Sequence, residues 1–285
     1  MATKTKKTRL TIEQNNARLE TMRRNLEALE NEAAAILKNG AELSLIDQFK
    51  LIRIINVAYH KTGKIEGITS LDGSCTCNFC EKLRGAVEID KTIICGLCYA
   101  ARDAYKEAAW RRHQLNARIL SSVLFDEMAL TALAISTIYG RINGDGDIVN
   151  ATHARNVLRA IRVHKMTRFG FWYKNVPAVR AGILAEGKPV NVTFVQSSVH
   201  IGKADKPAEF TDIVFTVYPT YESLQAAIDA GAVQCNGRKC MTCLACYNGD
   251  GNGNGVRYVA EYLRCKESDR AAIVKACIDR GYIAA

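Results

Sequence analysis

Nine of the eleven cysteines in this chain fall in two tight groups. The first is Cys75-x-Cys77-x2-Cys80-x14-Cys95-x2-Cys98. The second is Cys235-x4-Cys240-x2-Cys243-x2-Cys246. Two cysteines with two residues between them can turn back on one metal ion, which makes this spacing a recurrent ligand unit. Both groups end in Cys-x2-Cys-Tyr, at Tyr99 and Tyr247. In a reducing compartment, grouped thiols point to metal or cluster binding rather than to a disulfide framework. Cys265 and Cys277 stand alone and suit helical core positions.

The identity of the metal follows from donor type and crowding. Neither group contains a histidine, which disfavours mixed Cys/His zinc. Cys77 and Cys80 with Cys95 and Cys98 have the spacing of a zinc ribbon and leave Cys75 spare. Zinc and iron–sulfur stay open for this first group. The second group is denser, and its Cys-x4-Cys-x2-Cys run has the spacing of a plant-type cluster. It is expected to hold a [4Fe–4S] cluster in preference to zinc.

A third pattern is set aside. Asp250 to Gly255, followed by Glu261, matches a calcium loop letter for letter. A cysteine group stands where the entering helix belongs, and Arg257 takes the place of an apolar residue. The loop holds too few carboxylates for that ion.

The elements that must position these groups read as α/β. Thr11 to Lys38 is a helix whose apolar seam (Leu19, Met22, Leu26, Leu29, Ala33, Ile36) alternates by three and four. It packs on its own domain or self-associates as a coiled coil through 19–36. A second helix is expected at Leu45–Tyr59. A long helical region is expected from Tyr99 to Ser136. Strands then alternate with helices: Thr137–Ile142, Arg168–Tyr173, Val190–Val195, Ile213–Val217 and Arg257–Tyr262 against Asn150–His164, Pro177–Glu186, Tyr221–Ala230 and a last helix from Ser268. This alternation predicts a mostly parallel sheet with a partial (β/α) barrel-like core. The expected divisions are an N-terminal helical arm over 1–62, a core over 63–234 with the first cysteine group, and a Cys-rich C-terminal module over 235–285.

Parallel sheets bind ligands beyond the carboxyl ends of their strands. Polar residues stand at four such ends: Asn143, Asp145 and Asp147; Lys174; Gln196, Ser197 and Ser198 with His200 nearby; and Tyr218-Pro219-Thr220. The first three sets are candidate cofactor-binding residues. Asp147 suits an amine or ribose hydroxyls, and Lys174 suits a carboxylate or phosphate.

The formal net charge of +10 favours an anionic partner such as a nucleotide or nucleic acid. No apolar run is long enough to span a bilayer. The basic start lacks an apolar stretch behind it, so the chain reads as cytoplasmic.

Cys95, Cys98, Tyr99, Ala100, Asn116, Arg141, Asp147, Phe171, Lys174, Asn191 and Val192 occur in an order that resembles the phage and mobile-element family called gene product 88. The resemblance covers about Ser70 to Glu261. Where that family usually has His, Ser and Thr, this chain has Asn143, Asp145 and Tyr173. The layout is also similar to radical S-adenosylmethionine enzymes, although their Cys-x3-Cys-x2-Cys spacing is absent. That likeness implies one or two [4Fe–4S] clusters, S-adenosylmethionine as cofactor, and a radical enzyme acting on an anionic substrate. The alternative is a zinc-stabilised nucleic-acid-binding protein.

Overall fold

The expected helices and strands assemble into one open, eight-stranded sheet. The computed structural model describes residues 11–40, 42–73, 90–97, 107–144, 146–249 and 255–284. Cys75, Cys77, Cys80, Cys98, Asp145 and the 250–254 stretch lie outside the described residues.

Helix α1 (Ile12–Leu37) starts in a capping box, with Thr11 and Gln14 each satisfying the other's backbone N–H. Its seam divides along its length. Leu26, Ala33 and Ile36 are buried in the main core, whereas Leu19 and Met22 stay exposed. Glu30 holds the buried half in place by pairing with Arg111 of α3 (Glu107–Ser122).

Helix α2 (Leu45–Ile54) is shorter than expected, because Val57–Tyr59 forms strand β1. Asn116 of α3 explains the stop. Its Oδ1 accepts the Asn56 N–H at 2.9 Å, and its Nδ2 donates to the Asn56 carbonyl at 2.9 Å. Both backbone groups of Asn56 are therefore taken by a side chain, and the helix cannot continue through it. The expected Tyr99–Ser136 helix is also interrupted. Among the described residues it comprises α3 and the single turn α4 (Glu127–Leu130). Asn156 accepts the N–H of Phe125 at 2.9 Å between them.

The remaining strands are β2 (Thr69–Leu71), β3 (Tyr139–Ile142), β4 (Arg168–Tyr173), β5 (Val192–Ser197), β6 (Ile213–Tyr218), β7 (Val233–Gln234) and β8 (Arg257–Tyr262). Their order across the sheet is β1-β2-β3-β4-β5-β6-β8-β7. Only the β1–β2 pair is antiparallel. From β2 through β6 to β8, parallel strands therefore succeed one another in chain order. The connecting helices are α5 (Ala151–Val163), α6 (Val176–Glu186) and α7 (Tyr221–Asp229), with α8 (Cys240–Cys243) and α9 (Glu267–Asp279) later in the chain.

The two sheet faces are covered differently. Phe169, Phe171 and Tyr173 of β4 and Phe194 of β5 point to one face and pack with Ala154, Val157, Leu158 and Ile161 of α5 and Val179 of α6. On the other face, Trp172, Val195, Ile213, Phe215 and Val259 pack with Cys235 and Cys246. A cysteine-bearing segment thus replaces a helix layer on that side.

Helices α5 and α6 approach closely at Gly182, where an added Cβ would lie 2.6 Å from the Ala154 Cβ and 3.2 Å from backbone. Buried Glu186 locks the same pair, with Arg155 at 2.7 Å and Arg159 at 2.9 Å. Gly182→Ala must push the helices apart and should destabilise the protein by about 1–3 kcal/mol. Urea unfolding should show a lower midpoint at unchanged slope. An unchanged midpoint would show that the helices are not fixed at this crossing.

Candidate metal centre and carboxyl-edge site

The second cysteine group spans the turn after β7, helix α8 and the residues behind it. Cys235 donates its backbone N–H to the Ala260 carbonyl of β8 at 2.7 Å, extending the β7 edge. Leu244 ends α8 in a left-handed conformation at φ 52°, which turns the chain back toward Cys246. Tyr247 then inserts among the aromatic residues of the sheet. Its ring lies 5.5 Å from that of Tyr139 and 5.9 Å from that of Trp172, both edge-on. Close approach is possible because Gly170 and Gly249 lack side chains. A Cβ on Gly170 would be 3.0 Å from the Cys246 carbonyl, and one on Gly249 would be 2.7 Å from Thr193 Oγ1. Gly249 instead donates its N–H to that hydroxyl at 2.8 Å.

Cys235, Cys240, Cys243 and Cys246 line one cavity of about 30 Å³. Among the described residues, no three Cys, His, Asp or Glu side chains stand in ready-made ligating geometry. The thiols nevertheless act on one another electrostatically. Burial and its three sister cysteines push the Cys246 thiol up to about 12. Burial also raises Cys240, against the pull of Arg141 and Lys64. Such thiols stay protonated by themselves and ionise when a cation joins them. Four soft donors around one cavity, with two basic side chains beside them, fit a thiolate metal centre.

The first cysteine group has a different location. Strand β2 ends at Leu71, and Asp72 and Gly73 continue along the carboxyl edge of the sheet. The next described segment starts at Asp90. There Ile94 donates to the Val199 carbonyl at 2.9 Å, and Ile201 donates to the Thr92 carbonyl at 2.7 Å, just beyond the end of β5. Thr92 Oγ1 also meets His200 Nδ1 at 3.0 Å. The segments that flank Cys75, Cys77 and Cys80 therefore both lie at the carboxyl edge. Cys95 is buried there, in the short 3-10 turn Ile94–Leu97. Ile94 and Leu97 pack with Ile201, Leu263 and Cys277, and Cys265 borders the same cluster.

The polar strand ends share this edge, but most are engaged by backbone. Asn143, at φ 56°, accepts the Gly73 N–H at 3.2 Å and donates to the Trp172 carbonyl at 3.3 Å. It thereby links the ends of β2, β3 and β4. Asp147 is 1% exposed. Its carboxylate accepts three backbone N–H groups, from Ile148 at 2.7 Å, Lys174 at 2.9 Å and Asn175 at 3.0 Å. Gln196 accepts from Ala208 at 2.9 Å and Thr211 at 3.0 Å, and donates to the Lys206 carbonyl at 3.0 Å. Ser198 meets Thr216 Oγ1 at 2.8 Å and accepts from Asp205 N–H at 3.1 Å. Lys174 and Ser197 are half-buried.

Sequence reasoning passed over several residues that shape these sites. Asn116 and Asp72 act together, since Asn116 donates to the Asp72 carbonyl at 3.0 Å and Asp72 Oδ1 accepts the Gly144 N–H at 2.6 Å. Lys64 reaches Cys235 Sγ at 3.1 Å from far away in the chain. No local pattern marks Lys64. Asn116 was marked only as one of the residues that carry the family resemblance, with no local pattern to say what it holds.

A family model described as Gene product 88 matches residues 10–281. No curated protein and no solved structure matches the chain. No helix among the described residues is long and apolar enough to cross a membrane.

Burial raises the Asp147 carboxyl from about 3.8 to about 6, against the opposing pull of Lys174 and of the three N–H donors. Because the folded value exceeds the unfolded one, the folded state binds more protons between them. The contribution of this group to stability is therefore full below pH 3.8 and falls as pH rises toward 6. Asp147→Asn should remove this component from a stability–pH curve measured by urea unfolding. A variant curve parallel to that of the wild type across the window would refute the assignment.

Proposed function

This chain belongs to the gene product 88 family, and from its site we propose that it is an iron–sulfur enzyme of the radical S-adenosylmethionine kind. One observation carries the reading. Parallel strands succeed one another in chain order across an open sheet, and the first cysteine group follows the carboxyl end of the first of them. Ligands of parallel α/β sheets gather at that edge.

Three of Cys75, Cys77, Cys80, Cys95 and Cys98 are the donors for the first centre, which leaves one iron open to the cofactor. When bound there, a [4Fe–4S] cluster supplies the electron that reductive cleavage of S-adenosylmethionine requires. The chain itself supplies position. Asp147 fixes the backbone of Lys174 and Asn175 through two hydrogen bonds and so sets where the Lys174 side chain begins. Lys174 and Ser197 are the side chains offered to a carboxylate and to hydroxyls, with Asp145, outside the described residues, as a further acceptor. Asn143, Gln196 and Ser198 hold the surrounding loops. The +10 charge fits an anionic substrate, a nucleotide or nucleic acid.

A second reading rests on the cavity between the later thiols. The four thiols that line it are the donor number that tetrahedral zinc takes. This supports zinc at Cys235, Cys240, Cys243 and Cys246, and with it a zinc-stabilised nucleic-acid-binding protein of a phage or mobile element.

Anaerobic purification separates the two. The enzyme reading expects iron and sulfide in the protein and release of 5′-deoxyadenosine when reduced protein meets S-adenosylmethionine. Cys98→Ala should abolish loading of the first centre and leave the second filled. A colourless protein with zinc, no iron and no sulfide would sink the enzyme reading.

A further inference from the structure

The cavity between the later thiols receives a basic side chain from the other end of the sheet. Lys64 lies in the turn between β1 and β2, 171 positions before Cys235. Its Nζ donates to Cys235 Sγ at 3.1 Å and to Glu261 Oε1 at 3.1 Å. Its backbone carbonyl accepts the Cys240 N–H at 2.7 Å, at the start of α8. Two of the four thiol-bearing residues are thus held by one lysine. Neighbouring contacts press the same turn onto α8. Lys239 Nζ meets Glu66 Oε2 at 2.7 Å, and a Cβ on Gly67 would touch Met241 Cγ at 3.6 Å.

The arrangement has an electrostatic logic. Four thiolates around a doubly charged ion or cluster core leave a net negative charge on a partly buried site. Burying that charge is unfavourable unless cations and hydrogen-bond donors face it. Lys64 faces it directly. Arg141 approaches from β3, with its guanidinium 4.3 Å from the Trp172 ring centre. Glu261 fixes the lysine in turn and is itself braced by Arg264 at 3.2 Å. Residues that orient a metal's ligands from behind commonly set its affinity.

Resting on the reading that the second group binds metal, we propose that Lys64 is the positioning residue of that centre. Its ammonium donates to the metal-bound Cys235 sulfur and offsets the thiolate charge. Its carbonyl fixes the turn that presents Cys240 and Cys243.

The test uses the full chain, reduced, stripped of metal and titrated with cobalt(II) alone. The sulfur-to-cobalt charge-transfer absorption lost in Cys243→Ser reports the second group. Chelator competition gives its affinity. Lys64→Met should weaken cobalt binding by roughly 10- to 100-fold. It should also move the absorption to longer wavelength, since a sulfur without its N–H donor gives up charge more easily. Lys64→Arg keeps a charged donor and should restore most of both. Lys275→Ala removes only an exposed ion pair on α9 and should match wild type. If Lys64→Met binds cobalt as tightly as wild type with an unshifted band, the proposal is overturned while the metal reading stands. If wild type shows no such band, the metal reading itself fails and takes the proposal with it. Should Lys64→Met not fold, Lys64→Leu takes its place, with the same shift expected and the same null result decisive.

Discussion

A parallel sheet must be covered on both faces, because its strands are apolar on both and its edges leave few groups for water. Most of this architecture follows from how that requirement is met. One face takes helices α5 and α6, which bury Phe169, Phe171, Tyr173 and Phe194. The other takes a short segment rich in cysteine and poor in large apolar residues. Its principal apolar anchor is Tyr247, 2% exposed between Tyr139 and Trp172. A cover of that size has little hydrophobic surface with which to hold itself down. Bonds between its thiols and a shared ion would supply what packing does not, as in small metal-stapled modules. The glycines at 170 and 249, the carbonyls taken by Arg257 and the clasp from Lys64 all serve the same close approach.

The two cysteine groups occupy different levels of the sheet. The early group is flanked by Gly73 and Asp90, both at the carboxyl edge. The later group is reached by Lys64, which precedes β2, and by Arg257, which begins β8, so it lies toward the amino half of the strands. One group borders the edge where α/β sheets bind ligands, and the other closes a face.

The carboxyl edge also shows why polar residues in a row are an ambiguous sign. Loops that are buried must satisfy their backbone groups with something other than water. Asn143, Asp147, Gln196 and Ser198 do this, each engaging the backbone of a neighbouring strand or loop. Asn191 works the same way at the opposite edge, donating to the carbonyls of Ile161, His164 and Thr167. Their identity matters to the shape of the edge more than to any ligand upon it. Lys174 and Ser197 at the same edge are half-buried.

By itself the sequence determined the α/β class, the limits of β4 and β8, the start of α1 near Thr11 and the grouping of the cysteines. These are local facts, carried by alternation, capping chemistry and spacing along the chain. The three-residue strands β1 and β2 and the two-residue β7 escaped notice, because so few residues show no period. Only tertiary structure ended α2 at Ile54, since the side chain that ends it arrives from Asn116. The same holds for the later start of β5 at Val192, with Val190 exposed and Asn191 tied to α5 and the chain beyond it. It alone placed Lys64 against Cys235 and turned the Asp147 carboxylate onto three backbone N–H groups. Contacts between residues far apart in the chain leave no pattern in either neighbourhood, so the partners of a thiol or a buried carboxylate are known only once the sheet has brought them together.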